Sequence, residues 1–443
     1  MNVEGKATGA VFKSALMATT AVAALLATIS AASAGGFYIR EQSAEYQGMS
    51  FAGNAAGDSL SAMFWNSAAT AARDGLNTES IISAILGDSQ VTVTNDPFPL
   101  IPSSSAKSGD IGPPAAVPAS YGSYQLTKDI YVGMAVNAPF GLKTDPTNPT
   151  YQGAVIARKT ELATYNFNPT VAVRIAPGVT VGAGVQLQTA DGTFRFATGT
   201  PLPIGVPLTG LTTKVEGNGW GFGGTAGVMI EATPTTQIGI GYRSQIDQEI
   251  DGHISTEGSP IPLSQATEAT LHLPDIVTVS IRQVISPVLR LNGTFEWTNW
   301  SRFQNLTVIA AETGANVLQP GGIPAGAAIA SLPLDWSDGY FLAGGVEYDV
   351  YPTLTGRLGL AYEWSPVDAP EKRTPGFPDA NRVWLSGGFS WAFTPKTTID
   401  FGYTHIFVED EDFLRESLGT GTVVAGEVET KVDIVSLGVK TRW

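Results

Sequence analysis

From Tyr165 the chain alternates in character. Tyr165, Phe167, Pro169, Val171, Val173 and Ile175 share one parity, and Asn166, Asn168, Thr170, Ala172 and Arg174 share the other. The division recurs in Val179, Val181, Ala183, Val185 and Leu187 against Thr180, Gly182, Gly184, Gln186 and Gln188. It returns in Leu289, Leu291, Phe295 and Trp297 against Arg290, Asn292, Thr294 and Glu296. A period of two sustained this long predicts half-buried β-strands. A soluble sandwich alternates too, so the second face decides between the two. Here it carries Gly, Gln, Asn and Thr rather than Lys and Glu, and Tyr165, Trp297, Trp391 and Phe393 stand near strand ends. That combination predicts an all-β, antiparallel transmembrane barrel with an apolar outer band, aromatic girdles and a polar lumen.

Tight turns give the strand number. Candidates lie at Thr127-Lys128-Asp129, Pro177-Gly178, Pro234-Thr235, Ser286-Pro287, Tyr351-Pro352 and Pro395-Lys396, with room between them for two strands and one longer outer loop. Six turns divide the wall into seven hairpins, a 14-stranded barrel with both ends on the periplasmic side. Such a barrel is too wide to be filled by its own side chains. Residues 35–77 are rich in Ala, Gly, Ser and Asn, lack sustained alternation, and carry Phe37, Tyr38, Tyr46, Phe51, Phe64 and Trp65, too many aromatics for a solvated tail. They read as a small helical hatch inside the lumen, with Ser59–Trp65 as a helix and Asp58 at its cap.

The first residues address the compartment. Lys6 and Lys13 precede a short apolar core, Ala15–Ile29, and Ala32-Ser33-Ala34 has the small-x-small form of a cleavage site. The expected division is a signal peptide over 1–34, the hatch over 35–77 and the barrel over 78–443, in the outer membrane of a Gram-negative bacterium. No apolar run after the signal is long enough for a transmembrane helix, which excludes a helical membrane protein. The chain has no cysteine, so neither disulfides nor thiolate chemistry enter. Its formal charge of −15 becomes one unit more negative once Lys6, Lys13 and Glu4 are removed, and so acidic a chain is no partner for nucleic acid. The last strand, VDIVSLGVKTRW, sets Val435, Leu437, Val439, Thr441 and Trp443 on one face. An aromatic terminus of this kind resembles the signal read by the barrel-assembly machinery, making Trp443 the expected contact.

One stretch breaks the pattern. Ile130, Val132, Met134 and Val136 alternate as a strand should, and VNAPFGLKTDP then places Pro139 and Gly141, the residues least suited to a ladder, where pairing should continue. If Ala138 and Phe140 continue the lipid-facing series, Pro139, Phe140 and Gly141 mark a gap in the wall. The other reading is that Pro139 begins an outer loop.

The sequence resembles the long-chain fatty-acid outer-membrane transporter (FadL) family of hydrophobic-compound channels. The matching elements, in order, are GGF at Gly35–Phe37, FAG at Phe51–Gly53, VNAPFGLKTD at Val136–Asp145, NFNPTVAVR at Asn166–Arg174, EWTNWSRF at Glu296–Phe303, SPV at Ser365–Val367 and PDANR at Pro378–Arg382. The resemblance implies a 14-stranded barrel with an N-terminal hatch. It also implies diffusion of hydrophobic molecules inward, with sideways release through an opening in the third strand into outer-membrane lipid.

Several positions depart from the family pattern. Its hatch commonly reads Asn-Pro-Ala, and here Asn66-Ser67-Ala68 stands instead; serine frees the backbone, so a less rigid turn is expected. Of the buried arginine and lysine that hold a ligand carboxylate in the family, Arg195 in TFRFATG matches the arginine. Gln304 to Asp338, where the lysine is expected, holds no Lys or Arg. One cation desolvates a carboxylate less well than two, leaving room for a neutral aromatic or alkyl hydrocarbon. Ligand contacts are expected from Phe37, Arg195 and an apolar outer loop carrying Leu202, Ile204, Val206, Leu208 and Leu211, the alternative for that loop being packing on a neighbour. The acids of VEDEDF, Val408–Phe413, read as a solvated outer loop or a divalent-ion bridge to lipopolysaccharide. His253, His272 and His405 stand in no catalytic or metal-ligand spacing, and His405 reads as lumen-facing. No enzyme, metal site or cofactor is expected. The competing function is a general diffusion porin for small polar solutes, which a plugged lumen and the Pro-Phe-Gly interruption disfavour.

Overall fold

The computed structural model describes residues 35–443 except 96, 98–104, 198–210, 259–263, 317, 319–320 and 418–420. The first 34 residues, and Leu202, Ile204, Val206 and Leu208, therefore lie outside the described residues. One closed antiparallel barrel is built in chain order from β1 (Leu76–Val93), β2 (Ala115–Gln125, prolonged by Lys107–Asp110), β3 (Ile130–Asn137 and Gly141–Thr144), β4 (Lys159–Ala176) and β5 (Val179–Ala197). There follow β6 (Thr212–Thr233), β7 (Thr236–Arg243 and Ile246–Glu257), β8 (Ser264–Leu273 and Ile276–Ser286), β9 (Leu289–Thr298 and Asn305–Ala310) and β10 (Ala328–Pro333 and Gly339–Tyr351). The wall ends with β11 (Leu354–Trp364), β12 (Arg382–Thr394), β13 (Thr397–Val408 and Glu411–Glu416) and β14 (Val423–Arg442). β1 pairs with β14 from Asn77 opposite Arg442 to Val93 opposite Gly426, which removes the edge an open sheet would leave.

All six expected turns join strands at the periplasmic end. Phe167, Val185, Leu291, Phe295, Leu437 and Val439 face outward and are exposed, whereas Asn166, Gln186, Asn292 and Ser436 are buried in the lumen. Tyr348, Tyr351, Trp391, Phe393 and Trp443 form the lower girdle; Trp220, Phe222, Tyr340 and Trp364 stand higher on the wall. No helix among the described residues is long and apolar enough to cross a membrane; the strands do so.

Residues 35–75 precede β1 and fill the lumen through α1 (Ala44–Gln47) and two 3-10 turns, Leu60–Phe64 and Ser67–Ala71, all buried. The helix expected over Ser59–Trp65 is thus one short turn. Ser59 rather than Asp58 takes its N-cap position, and its hydroxyl donates to Glu79 of β1 at 2.8 Å while Asp58 stands exposed. The lumen-facing parity is glycine-rich because the hatch lies directly on it. A Cβ at Gly239 would overlap the Ala55 carbonyl oxygen, and one at Gly241 that of Trp65. Buried ion pairs fasten the hatch: Arg40 binds Glu296 of β9 and Glu363 of β11, and Glu45 binds Arg357 and Lys440. Each charge is paired, as burial requires.

Candidate functional site

Phe37 sits at the centre of a ring cluster, with Trp300, Phe303, Trp336, Phe140 and Phe377 at centroid distances of 4.7, 5.3, 5.9, 6.0 and 6.1 Å. Each ring arrives from an interruption in regular structure. Gly36, at φ +68°, admits the close approach of Trp300, into which a Cβ would run. Trp300 and Phe303 come from the 3-10 turn Trp300–Arg302 that splits β9, and Trp336 from the break in β10, where Asp335 lies at φ +47°. Phe377 comes from the outer connection between β11 and β12. The rings meet mostly edge-on or tilted, the geometry aromatic quadrupoles favour. Towards the outside, Phe377 meets Phe194 at 5.8 Å. These two rings border adjoining apolar cavities of about 80 and 50 Å³, shared by Val215, Leu306 and Val308.

On the wall side the cluster reaches β3. Asn137 pairs with Asn166 and Gly141 with Ala163, so Ala138–Phe140 are three residues opposite two, a one-residue bulge. The extra residue reverses the parity. Phe140, expected to face lipid, is buried and turned inward against Phe37, Tyr38 and Trp300. The bulge backbone bonds to the hatch: Ile39 N–H donates to the Pro139 carbonyl at 2.8 Å and Gly141 N–H to the Phe37 carbonyl at 2.9 Å. The Gln42 carboxamide donates to the Ala138 carbonyl at 2.9 Å. β2 and β3 pair only from Gln125 opposite Tyr131 up to Ser120 opposite Val136. Beyond that, Ala115–Ala119 of β2 pair with β1 alone, and the buried Val117 and Ala119 belong to the same apolar cluster as Phe37. Pro139 therefore does not open an outer loop: β3 stays in the wall and continues to pair with β4.

Other expected site residues fall elsewhere. Arg195 shares the outward parity of Val185, Leu187 and Asp191, yet it lines the outer apolar cavity together with its neighbours Phe194 and Phe196. Its guanidinium donates to the part-exposed Glu257 at 3.2 Å, a pair that a ligand carboxylate at this cavity would compete with. Asn66 caps the Ser67–Ala71 turn by accepting from the Ala68 N–H at 3.0 Å. The Ser67 hydroxyl donates to Thr225 at 2.7 Å, a tether that proline cannot supply. In VEDEDF the acids Glu409, Asp410 and Asp412 are exposed, as expected of a solvated segment, but Glu411–Glu416 prolong β13, Phe413 is buried, Glu411 pairs with Arg373 at 3.4 Å and Asn381 donates to Glu409 at 3.1 Å. His405 faces outward, not into the lumen, with Nδ1 2.8 Å from Asp433, because Ile406 takes the inward position. The sequence reading missed Phe194, Trp300, Phe303, Trp336 and Phe377 as site residues. The available signal was the loss of alternation after Thr298, with two aromatics inside the break.

Residues 24–443 match the family described as outer membrane protein transport protein (OMPP1/FadL/TodX). Among curated proteins, the chain is 28% identical to the 47 kDa outer membrane protein of Pasteurella multocida, over 92% of this chain and 95% of that one. It is 26% identical to the long-chain fatty acid transport protein of Escherichia coli K12, over 68% and 73%. Among solved structures, a Pseudomonas aeruginosa FadL homologue superposes with TM-score 0.79 at 20% identity, covering 92% of this chain and 99% of that one. The Pseudomonas putida toluene transporter TodX superposes with TM-score 0.69 at 16% identity, covering 93% and 99%. The chain is thus a β-barrel of the bacterial outer membrane and belongs to the OMPP1/FadL/TodX family of outer-membrane transport proteins, which are channels rather than enzymes.

Proposed function

We propose that this protein carries hydrophobic small molecules across the outer membrane by diffusion and releases them sideways into the membrane between β2 and β3. The observation that carries this reading is one continuous run of packed apolar side chains leading inward from the outer cavities. It runs from the outer cavities past Phe194 and Phe377, through the Phe37 cluster, to Phe140 and the unpaired edge Ala115–Ala119. Unpaired backbone facing hydrocarbon is costly unless protein backs it, and on the β3 side of the gap the hatch supplies the backing through the bonds from Ile39 to Pro139 and from Gly141 to Phe37. Displacement of the hatch there would open the path to lipid. Outside this gap β1 and β4 present Ile82, Leu86 and Phe167, all exposed and apolar, so a released molecule meets acyl chains rather than the polar lipopolysaccharide layer.

Relatives include a long-chain fatty acid transport protein and structures of toluene transporters, and both ligand types are hydrophobic. The ring-lined centre favours neutral aromatic or alkyl hydrocarbons, since Arg40, stacked on Tyr38 beside it, is committed to Glu296 and Glu363. Expression in a strain lacking its own transporters should confer uptake of labelled toluene or oleate, while the purified barrel stays nearly closed to ions in a planar bilayer. High ionic conductance without hydrophobic uptake would establish a diffusion porin instead.

A further inference from the structure

β8 and β9 also part, at a different height. From the periplasmic end they pair up to Ile276 opposite Thr298, where the Asn299 N–H donates to the Asp275 carbonyl at 2.9 Å. Pairing resumes only at Ala269 opposite Val308 and ends at Thr267 opposite Ala310. Between these points Thr270–Pro274 and Trp300–Thr307 do not pair with each other, although Thr270–Leu273 still pair with β7 and Asn305–Thr307 with β10. β9 uses its surplus residues to carry Trp300 and Phe303 into the ring cluster, as the bulge in β3 carries Phe140. Continuing the upper register would set Leu271 opposite Leu306; both instead line the inner apolar cavity with Phe194 and Phe377.

What lies outside distinguishes the two gaps. The outward positions beside this one are Glu249, Asp251, Glu268 and His272, with Arg302 across from them. Charges at that density do not face hydrocarbon, so the gap stands above the apolar band. An outer groove of about 810 Å³ lies over it. Two residues, Ile250 and Ala269, line both this groove and the inner cavity.

We infer that the β8–β9 gap is the inlet: a neutral hydrocarbon at the membrane surface passes between Ala269 and Leu306 into the Phe194–Phe377 cavity. This rests on the transport reading above. The rim sets Glu249, Asp251 and Glu268 against Arg302, and that excess of negative charge disfavours an ionised carboxylate.

The chain has no cysteine, so Ala269→Cys introduces a single thiol. In intact cells, a bulky membrane-impermeant methanethiosulfonate should modify it fully and abolish uptake of a radiolabelled alkylbenzene, and a reductant should restore uptake. Because the block is applied to folded protein and then removed, misfolding does not imitate it. Leu306→Cys, should Ala269→Cys not assemble, must behave alike. Complete modification with unchanged uptake would overturn the inlet, and so would a thiol that reacts only after unfolding. Absence of alkylbenzene uptake by the native chain, assayed in parallel, would overturn the transport reading and the inlet with it.

Discussion

A Cβ on Gly241 has no space because the Trp65 carbonyl occupies it, and this single position shows what the polar parity of the strands is for. Gly241→Val should leave the barrel assembled, since the outward face and the ladder are untouched. It should lift the hatch and raise ionic conductance in a planar bilayer; a variant as closed as the native protein would show that the hatch does not depend on this contact. Arg195 gives the opposite case. Its pair with Glu257 is partly solvated, so Arg195→Ala should change the affinity for a carboxylate probe by less than about 1 kcal/mol. Phe37→Ala removes a buried ring with five ring neighbours and should cost about 3 kcal/mol or more of hatch docking, read as hydrogen exchange of the hatch amides. The outward parity of Arg195 was legible in the series from Val179, but its place on the cavity rim was not, because the rim is set by strands distant in sequence. For Phe140 no such signal existed, because alternation read through a bulge cannot show where the extra residue sits.

At the scale of the element, the hatch is held by buried charge and therefore by pH. Glu41 is almost fully buried, and desolvation raises its carboxyl from 4.5 to about 7; nearby Glu363 adds to the rise, while its own backbone hydrogen bond, Arg40 and Arg382 oppose it. The docked hatch thus holds a proton that the undocked one gives up. Its contribution to docking is fully present below about pH 4.5 and is lost as pH rises through about 7. Hatch-open conductance should increase across that window, and Glu41→Gln should flatten the increase; an unchanged pH profile in Glu41→Gln would assign the dependence to another group. Deleting Gly35–Thr70 should leave a folded barrel with a larger aqueous conductance at every pH. The hatch was legible as a plug from its aromatics and from the width of the barrel. Its fasteners were not, because Arg40 meets partners 256 and 323 residues away, and no local pattern links them.

The barrel as a whole was the most legible level. Period-two alternation and the six short turns fix strand number and facing before any contact is known, since a wall one strand thick must show lipid on one side and lumen on the other. Where that rule fails, at the Ala138–Phe140 bulge and at the Trp300–Gln304 break, the ladder is interrupted and rings turn inward onto Phe37. Those interruptions make up the candidate site, and on them rests the proposal that molecules leave between β2 and β3. Deleting Pro139 tests it most directly. The bulge has one residue too many, and removing it lets β3 pair without interruption with β4 and extend along Ala115–Ala119 of β2. Uptake of a labelled hydrophobic compound should then be lost, while heat-modifiable mobility shows an assembled barrel and the purified variant still binds the compound. Uptake at the native rate by that assembled variant would contradict lateral release.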